Sequence, residues 1–328
     1  RLKVEEYKIG VRSHTLTQVL YMDDLVHEGL LEEVKERLEE FQIDGILDSG
    51  MLEQLTEDVW YSPFPQYQTT ERPDRAVQEI LKGKVVILCD NSPEALILPG
   101  NFSSFMESSE DWFEMASFLR ILRYLAVIMA TVLPGLYLAV IRFHTQILPS
   151  ALILSFAEAR EGVPFSSVVE LIFLELAFEL IREAGVRVPG SLGNAIGIVG
   201  GLVIGQAAVE ANLVSPIVVM IVALTALGSM TVPNEEFAAA FRLGKYGFLI
   251  LGGYLGIYGI VLGVYLVIGH LAGLISFGIP YLVPFIKKEQ KGSRGEGILR
   301  VPLRKRVLRP LYAREEQKIR LKRKESGS

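Results

Sequence analysis

The chain has 328 residues, a mean hydropathy of +0.34 and a formal net charge of −5, and these averages conceal a strong segregation of charge. Residues 1–118 carry a net charge of −14, residues 119–286 of −1 and residues 287–328 of +10. This distribution excludes a single soluble globular domain, a disulfide scaffold and a fully disordered chain. The predicted fold class is an α+β membrane protein. A small cytosolic α/β domain over residues 1–118 is followed by a polytopic helical membrane domain over residues 119–286 and a basic cytosolic tail over residues 287–328.

The N-terminal region shows alternating strand and helix patterns. Residues 4–10 and 15–22 are rich in strand-forming side chains, and the apolar spacing of residues 25–41 predicts an amphipathic helix that begins after Asp23 and Asp24. These patterns predict a small α/β domain. The later elements are a strand over residues 43–47, a helix from Ser49 to about residue 58, a helix beginning near Pro73, and a hairpin of residues 84–88 and 95–98.

This domain contains no pattern for catalysis or for a metal. It has no glycine-rich phosphate loop, no two-histidine motif and no nucleophile at a strand-to-helix turn. The single cysteine, Cys89, excludes an intrachain disulfide and a multi-cysteine metal cluster, and we expect it to be a buried strand residue. The sequence therefore predicts a protein that is not an enzyme and that uses no cofactor or metal. The aromatic and proline segment over residues 60–65, together with residues 70–74, is either a rigid loop packed on the sheet or a ligand site.

The middle of the chain contains six apolar segments. A helix of about 20 residues spans the roughly 30 Å core of a bilayer. Glu170, Glu175 and Glu179 interrupt the second segment, and a carboxylate inside a span costs several kcal/mol unless it faces water or protein. We therefore expect at least one of them to pair with an arginine or a polar group within the protein. The six segments cover residues 119–141, 165–181, 195–209, 213–232, 246–268 and 271–285.

The basic residues favour six crossings, with the N-terminal domain and the tail both in the cytosol. Four crossings, in which residues 165–181 do not cross and the last segment is re-entrant, remain the alternative, and they place more basic residues on the wrong side. Only Arg142 and Arg160 lie on the outer side in the favoured topology. The inner side then holds the tail together with Arg120, Arg123, Arg182, Arg187, Arg242 and Lys245.

Glycines repeat at helical spacing on two of the predicted segments. Such stripes let helix backbones approach closely in lipid, where packing drives association. We predict that both stripes are packing faces and that they support a ring of subunits. The helix-packing candidates are Gly193, Gly197, Gly201, Gly205, Gly252, Gly256, Gly259 and Gly263.

The first of these helices also provides candidate pore residues. Val199 and Val203 lie on the face opposite the glycines, and Gln206 and Glu210 follow on that face. In a ring of subunits, the valines would form a hydrophobic constriction and Glu210 an anionic mouth. The alternative is that Gln206 forms a hydrogen bond within one bundle and Glu210 reaches the membrane interface.

The C-terminal tail carries basic clusters at residues 304–306 and 322–324. Each basic residue near an anionic membrane surface contributes on the order of 1 kcal/mol of attraction. The tail lacks the interleaved aromatic residues and the folded context of a nucleic-acid binding surface. It therefore indicates either lipid recognition or a solvated segment that sets topology, and no nucleic-acid partner.

Several motifs in one order resemble the A subunit of GerA-type spore germinant receptors, over roughly residues 4–303. That family carries a further N-terminal subdomain, so the start at Arg1 is expected to be a truncation point. The motifs are Ser62-Pro-Phe-Pro-Gln66, Thr70-Glu-Arg-Pro-Asp74, Phe118-Leu-Arg-Ile-Leu-Arg123, Ala159-Arg-Glu-Gly-Val-Pro-Phe165, Arg182-Glu-Ala-Gly-Val-Arg187, Ile198-Val-Gly-Gly-Leu-Val-Ile-Gly-Gln-Ala-Ala-Val209 and Ser276-Phe-Gly-Ile-Pro-Tyr281.

The resemblance implies a subunit of the inner membrane of bacterial endospores. It implies an oligomeric ring, expected to be pentameric, that acts as a nutrient-gated ion channel, releases monovalent cations and triggers germination. It also implies two partners, a transporter-like B subunit and a lipoprotein C subunit, and membrane lipids around the ring. A sister branch, the sporulation stage V A subunit that amplifies germination, shares these motifs. The resemblance carries no catalytic residues.

Two further functions remain open from the sequence. The chain is alternatively a non-conducting membrane receptor or scaffold, with a ligand site in the loop that contains Trp60 and Pro65. It is alternatively a secondary transporter that uses Glu170, Glu175 and Glu179 as a proton relay. Ligand binding without ion flux would select the first alternative. Flux coupled to a counter-substrate would select the second.

Overall fold

The computed structural model describes residues 1–108, 113–188, 191–283, 285, 309–310 and 313–314. The chain forms two compact units. The first, here called the sheet unit, contains residues 1–122 and 268–328, and the second, the helical unit, contains residues 123–267. The basic clusters of the tail lie outside the described residues, so the role predicted for them stays a prediction, as does the three-part division of the chain.

The sheet unit is built on a five-stranded sheet in which every neighbouring pair is antiparallel. The strand order is β1-β2-β4-β5-β3, so the first and third strands form the two edges. The elements before the long helices are β1 (Leu2–Ile9), β2 (Thr15–Met22), α1 (Glu28–Glu40), α2 (Ser49–Thr56), β3 (Gln68–Thr70), α3 (Pro73–Ile80), β4 (Val85–Cys89), β5 (Ala95–Leu98) and α4 (Phe102–Phe105).

Helices cover both faces of this sheet. Alternate residues of β2 are buried, which is the period-2 pattern of a strand with two different faces. On one face α1 buries Leu30, Val34 and Leu38 in the main core, and on the other Ile80 of α3 packs with Val86. Burying an aliphatic side chain contributes about 1.5–3 kcal/mol, so these stripes fix each helix on its face.

Two elements predicted from the sequence differ from those observed in the sheet unit. The first helix begins at Glu28 rather than after Asp24, because the side chain of His27 accepts the hydrogen bond from Gly29 N and acts as the N-cap. Residues 43–47 do not form a strand. Their carbonyl groups instead accept hydrogen bonds from Val11 N and from Thr15 Oγ1, which is a loop arrangement that a short apolar run does not reveal. Cys89 is buried on β4 as predicted.

A buried ion cluster lies beside α3. The Glu79 carboxylate is 2.5 Å from Lys82 Nζ and 3.0 Å from Lys84 Nζ, and all three side chains are almost fully buried. Burial by itself would raise the pKa of the Glu79 carboxyl, but the two ammonium groups outweigh it and lower that pKa to about 2. The cluster therefore keeps Glu79 ionised inside the fold.

The last apolar segment predicted from the sequence, residues 271–285, is not a membrane helix. After the end of a long helix at Gly273, the chain forms a short antiparallel hairpin of β6 (Ile275–Ser276) and β7 (Ile279–Pro280). Tyr281 is fully buried in the sheet unit, and its hydroxyl donates a hydrogen bond of 3.0 Å to the Pro65 carbonyl. Apolar side chains in this segment serve a domain core, which has the same composition as a short membrane span.

The helical unit consists of long apolar helices. The predicted segments at residues 119–141, 165–181, 195–209 and 213–232 each correspond to one helix, with ends that differ by one to six residues. The helices are α5 (Phe113–Phe143), whose first residues belong to the sheet unit, α6 (Ser150–Glu158), α7 (Ser167–Val186), α8 (Ser191–Glu210), α9 (Pro216–Met230), α10 (Glu235–Leu255) and α11 (Ile257–Gly273).

The segment predicted as one span over residues 246–268 is instead two helices. Gly256 separates α10 from α11 with φ +63°, a left-handed conformation that favours glycine. The chain folds back there, because Gly259 lies against the Leu251 backbone and Gly263 against the Phe248 ring. A straight helix would put residues 248 and 263 roughly 22 Å apart at 1.5 Å per residue. The prediction of a single span is therefore wrong.

The main helices of this unit alternate in direction. Contacts of Thr131 with Gly244 and of Leu138 with Gly253 make α5 and α10 parallel. The ion pair of Glu179 with Arg242 and that of Glu175 with Lys245 make α7 and α10 antiparallel. Short connections and close contacts make α8 antiparallel to both α7 and α9. In chain order, the directions of α5, α7, α8, α9, α10 and α11 thus reverse at every step.

Candidate functional site

The central glutamate of α7 is buried among polar partners from two other helices. Glu175 is 2% exposed and forms an ion pair with Lys245 of α10. Its other oxygen accepts a hydrogen bond of 3.1 Å from the Thr225 hydroxyl of α9. Both carboxylate oxygens and the ammonium group are therefore satisfied inside the helical unit, which is the condition under which a buried charge is tolerated.

The first glutamate of α7 holds two connections of the chain together. Glu170, 1% exposed, accepts a hydrogen bond of 3.1 Å from Arg160 Nη2, which precedes α7. Its second oxygen accepts the backbone N–H of Ser215 at 2.9 Å, at the start of α9. A carboxylate at this position also complements the positive end of the α9 dipole.

The remaining charged groups of α7 lie toward its C-terminal end. Glu179 pairs with Arg242 Nε at 3.2 Å, and Arg182 Nη2 donates to the Ser229 hydroxyl at 2.8 Å. All three glutamates predicted as membrane carboxylates thus have a cationic partner within the chain. The expectation that at least one is paired internally is confirmed, and the structural role proposed for the pairing stays a prediction.

The glycine face of α8 packs within the chain. A Cβ added at Gly201 would lie 3.0 Å from the Phe178 ring of α7, and one added at Gly205 would lie 3.2 Å from Val219 of α9. Both distances are shorter than ordinary side-chain contacts. The side chains at Gly193, Gly197 and Val199 lie outside the described residues, so the packing and pore roles predicted for them stay predictions.

The opposite face of α8 is exposed. Val203 is 57% exposed, and Gln206 and Glu210 lie within about 60° of it at 100° per residue. Gln206 Nε2 donates a hydrogen bond of 3.2 Å to Glu210 Oε1. Val203 thus lies opposite Gly201 and Gly205, whereas Gln206 and Glu210 are exposed beside it and also line a cavity that these glycines share.

The second glycine stripe is also used inside the chain. Gly252 lies against the Gly135 backbone of α5, and Gly256 against Phe143 and His144. Gly259 and Gly263 make the close contacts between α10 and α11 described above. These four glycines hold three helices together within one subunit. A ring of subunits would therefore need another interface.

An apolar cavity of about 640 Å³ lies among α7, α8 and α9. Most of its lining is aliphatic or glycine. Arg182 lines it near one end, and Gln206 and Glu210 line it near the other. Gly201 and Gly205 also line this cavity and Val203 does not, so the cavity lies on the glycine side of α8, with Gln206 and Glu210 at its edge.

By length and composition, one helix among the described residues could cross a membrane. It covers Met115–Phe143, with a mean hydropathy of 2.2 in its most apolar window. Two shorter apolar helices, Pro216–Met230 and Ile257–Gly273, accompany it. The described residues contain no group of three or more histidine, cysteine, aspartate or glutamate side chains that could hold a metal ion.

Sequence comparison decides the family. The sequence profile described as "Bacillus/Clostridium GerA spore germination protein" matches residues 1–312. The chain belongs to the GerA family. The resemblance found in the motifs is thereby confirmed.

Curated relatives align with most of the chain. It is 42% identical to "Spore germination protein KA" of Bacillus subtilis (strain 168) over 97% of its length and 59% of the relative. It is 39% identical to "Spore germination protein GerLA" of Bacillus cereus over 95% of its length and 64% of the relative. The "Uncharacterized membrane protein YfkQ" of B. subtilis is 41% identical over 89% of the chain and 58% of the relative. The chain thus spans about three fifths of the length of these relatives.

One solved structure is similar to a part of this GerA-family chain. The crystal structure of the N-terminal domain of the A subunit of the Bacillus megaterium spore germinant receptor GerK3 shares 38% identity with it. The match covers 31% of this chain and 80% of that one, with a TM-score of 0.25.

Sequence reasoning missed the partners of the α7 carboxylates in this GerA-family chain. Lys245 and Thr225 lie 70 and 50 residues from Glu175 along the sequence. One feature of the sequence could have indicated these partners. An isolated lysine and an isolated arginine, Lys245 and Arg242, stand near the start of an apolar helix and need counter-charges.

Proposed function

We propose that this chain is a membrane subunit of a nutrient germinant receptor and that several copies form a nutrient-gated cation channel that triggers endospore germination. Membership in the GerA family indicates that the process is spore germination. The observation that carries the channel part is the α8 surface, where Val203, Gln206 and Glu210 are exposed together while the opposite glycines pack inside the chain.

We propose six membrane crossings, by α5, α7, α8, α9, α10 and α11. The alternating directions of these helices support this topology. Residues 113–122 and 268–273 belong to one compact unit, which supports an even number of crossings between them. With those directions, the basic residues that begin α5, end α7 and begin α10 lie on the same side. That is the distribution expected for the cytosolic side of a membrane.

Internal pairing of the α7 glutamates supports a structural role for this helix rather than a proton relay. A relay needs carboxylates that exchange protons with water or with each other. Glu170 and Glu175 are almost completely buried, and each is held by a cation and by a further donor. These contacts favour the channel over the secondary transporter.

The proposed gate is the exposed valine surface of α8. In a ring of copies, expected to be a pentamer, the Val203 side chains would face one another and close a narrow pore by excluding water. Glu210 from each copy would add negative potential at the mouth and concentrate cations there. The transporter-like B subunit and the lipoprotein C subunit are the proposed partners that bind the nutrient and complete the receptor.

Flux through reconstituted vesicles tests the proposal. Val203→Ala should raise the cation leak in the absence of nutrient about tenfold, because a smaller ring of side chains hydrates more easily. Val261→Ala is the matched control, since Val261 of α11 is similarly exposed, at 63%. Glu210→Gln should lower flux, more at low salt than at high salt, because salt screens the negative potential.

The outcomes separate the candidates. Leak in Val203→Ala and not in Val261→Ala, with salt-dependent loss in Glu210→Gln, supports a pore along α8. Resting leak at the wild-type level together with undiminished, salt-independent flux in Glu210→Gln would leave α8 without a pore role. Vesicles that never conduct would favour a non-conducting receptor.

A further inference from the structure

Two aromatic side chains of the loop before β3 are exposed on the surface of the sheet unit. Trp60 is 82% exposed and Tyr61 is 69% exposed. Their rings touch edge to face, with centroids 5.9 Å apart, and so form one aromatic surface. Large aromatic side chains are usually buried in aqueous domains, so an exposed pair on a well-packed domain indicates contact with something else.

The inner side of the same loop is fixed to the sheet unit. The Pro65 carbonyl accepts the hydrogen bond from Tyr281, and the Gln66 carbonyl accepts one of 2.9 Å from the Ser276 hydroxyl. Phe64 is buried. The loop is thus a rigid support that presents Trp60 and Tyr61 outward.

This loop touches the last turn of α11. The Ser62 hydroxyl lies 2.9 Å from His270 Nε2, and the Phe64 ring packs on the His270 ring with centroids 5.9 Å apart. His270 is three residues before the end of the apolar helix Ile257–Gly273. The exposed aromatic pair therefore lies next to the end of that helix.

Exposed aromatic residues also mark the other end of α11. Tyr254 is 76% exposed and Tyr258 is 81% exposed, on either side of the turn at Gly256. A 17-residue helix is about 25 Å long at 1.5 Å per residue, close to the thickness of a hydrocarbon core. A third exposed tyrosine, Tyr265, lies at the middle of α11, about 12 Å from each end, and so belongs to neither group.

We propose that Trp60 and Tyr61 form an interfacial anchor that inserts into the lipid headgroup region of the cytosolic leaflet. Tryptophan and tyrosine favour this region, because the ring is apolar and the N–H or O–H group can still meet water. Aromatic residues at both ends of α11 match the two belts of a membrane helix. The inference rests on the proposed crossing of the membrane by α11.

Tryptophan fluorescence in vesicles tests this anchor. The chain has two tryptophans, so Trp112→Phe leaves Trp60 as the single reporter. The full chain is reconstituted in phosphatidylcholine vesicles brominated either near the headgroup or deep in the acyl chain. We expect the headgroup-proximal label to quench Trp60 at least twofold more than the deep label, and aqueous iodide to quench it several-fold less than free indole.

Two matched reporters, each in a chain with both native tryptophans replaced by phenylalanine, complete the design. Val11→Trp places the reporter in the turn between β1 and β2, at the sheet edge opposite β3, where Val11 is 61% exposed. Iodide should quench it freely. Tyr258→Trp reports whether α11 is in the membrane, independently of the loop.

Each outcome has one meaning. Quenching of Trp60 by shallow bromolipid, with Val11→Trp open to iodide, supports the anchor. If iodide quenches Trp60 freely while bromolipid quenches the tryptophan of Tyr258→Trp, the anchor is overturned and the proposed crossing of α11 remains. Absence of bromolipid quenching at both positions overturns the crossing and the anchor with it. Trp60 shielded from both quenchers also overturns the lipid assignment and indicates a protein neighbour, such as a second copy.

Discussion

The two units of the chain bury charge in different ways. In the sheet unit, Glu79, Lys82 and Lys84 lie within six residues of one another, around the end of one helix and the start of the next strand. In the helical unit, Glu175 finds Lys245 seventy residues away, on another helix. The first arrangement is local and the second connects distant parts of the chain.

This difference indicates what each cluster does for the fold. A local cluster stabilises one corner of a domain whose strands are already aligned by backbone hydrogen bonds. Apolar helices in a membrane have no such ladder of backbone hydrogen bonds between them, and apolar side-chain surfaces alone fix the relative position of two helices only weakly. We therefore expect the Glu175 pair, the Glu170 contacts and the close glycine contacts to define the register of the helices.

The largest effect should come from breaking the central pair of the helical unit. Glu175→Leu leaves the Lys245 ammonium buried without its carboxylate, which should destabilise the unit by about 3–5 kcal/mol. The yield of folded protein in detergent and its thermal midpoint measure this loss.

The double variant Glu175→Leu with Lys245→Met is the matched control. It removes both charges, so most of the lost stability should return, because apolar replacements of a whole buried pair are often nearly neutral. Equal loss in the single and double variants would mean that the unpaired Lys245 charge is not the cause of the loss. Normal abundance of Glu175→Leu would contradict the structural role altogether.

A smaller loss should follow from blocking a glycine contact between α5 and α10. Gly252→Leu forces a side chain against the Gly135 backbone, which cannot move aside, and should cost about 3 kcal/mol. Gly247→Leu is the control on the same helix, because a Cβ there meets nothing within 4 Å. Size-exclusion profiles and thermal midpoints compare the two. Equal thermal midpoints and profiles for Gly252→Leu and Gly247→Leu would show that the close approach of α5 and α10 at Gly252 is not needed for stability.

The smallest of the three effects is expected in the sheet unit and depends on pH. The pKa of Glu79 is about 2 in the fold and about 4.5 for an unperturbed glutamate, so its contribution is present above pH 4.5 and disappears as the pH falls toward 2. Glu79→Gln should lower stability at pH 7 by less than the roughly 3.4 kcal/mol that a pKa difference of about 2.5 represents, because the amide still accepts hydrogen bonds from the lysines. It should also flatten the acid side of the stability curve.

Tryptophan emission measures this effect in the full chain, since Trp60 and Trp112 both belong to residues 1–122. Glu71→Gln is the control, because Glu71 is exposed and exposed substitutions usually change stability by less than 0.5 kcal/mol. An unchanged acid dependence in Glu79→Gln would contradict the assignment of the ionised carboxylate.

Local patterns predicted the sheet unit well. The two β-rich runs around residues 90–93 form the β4 and β5 hairpin, and Pro73 begins α3. The three-residue strand β3 was missed because it is too short to show a period. Its place at the sheet edge comes from pairing with β5, which depends on the whole fold rather than on its own residues.

For the helical unit, the sequence predicted where the apolar segments lie but not where the chain turns between helices. Continuous apolar composition from residue 246 to residue 268 looks the same for one span and for two helices folded at a glycine. Gly256 is one glycine among several in that run, and its φ of +63° and its close approach to Phe143 and His144 are visible only in the folded chain. Likewise, the charges of α7 indicated that partners exist, whereas only the three-dimensional structure identifies Lys245 and Thr225.

The hairpin of β6 and β7 makes the sheet unit discontinuous in sequence. Phe277 is 1% exposed within the main core beside Tyr67, although 210 residues separate them along the chain. The helical unit is thus an insertion between two parts of one domain, and an N-terminal fragment cut before α5 would lack part of its own hydrophobic core. Splicing residues 274–283 directly after residue 108 through a glycine-rich linker should restore the contacts of Phe277 and Tyr281 with that core, which the thermal midpoints of the fragment with and without the splice would measure.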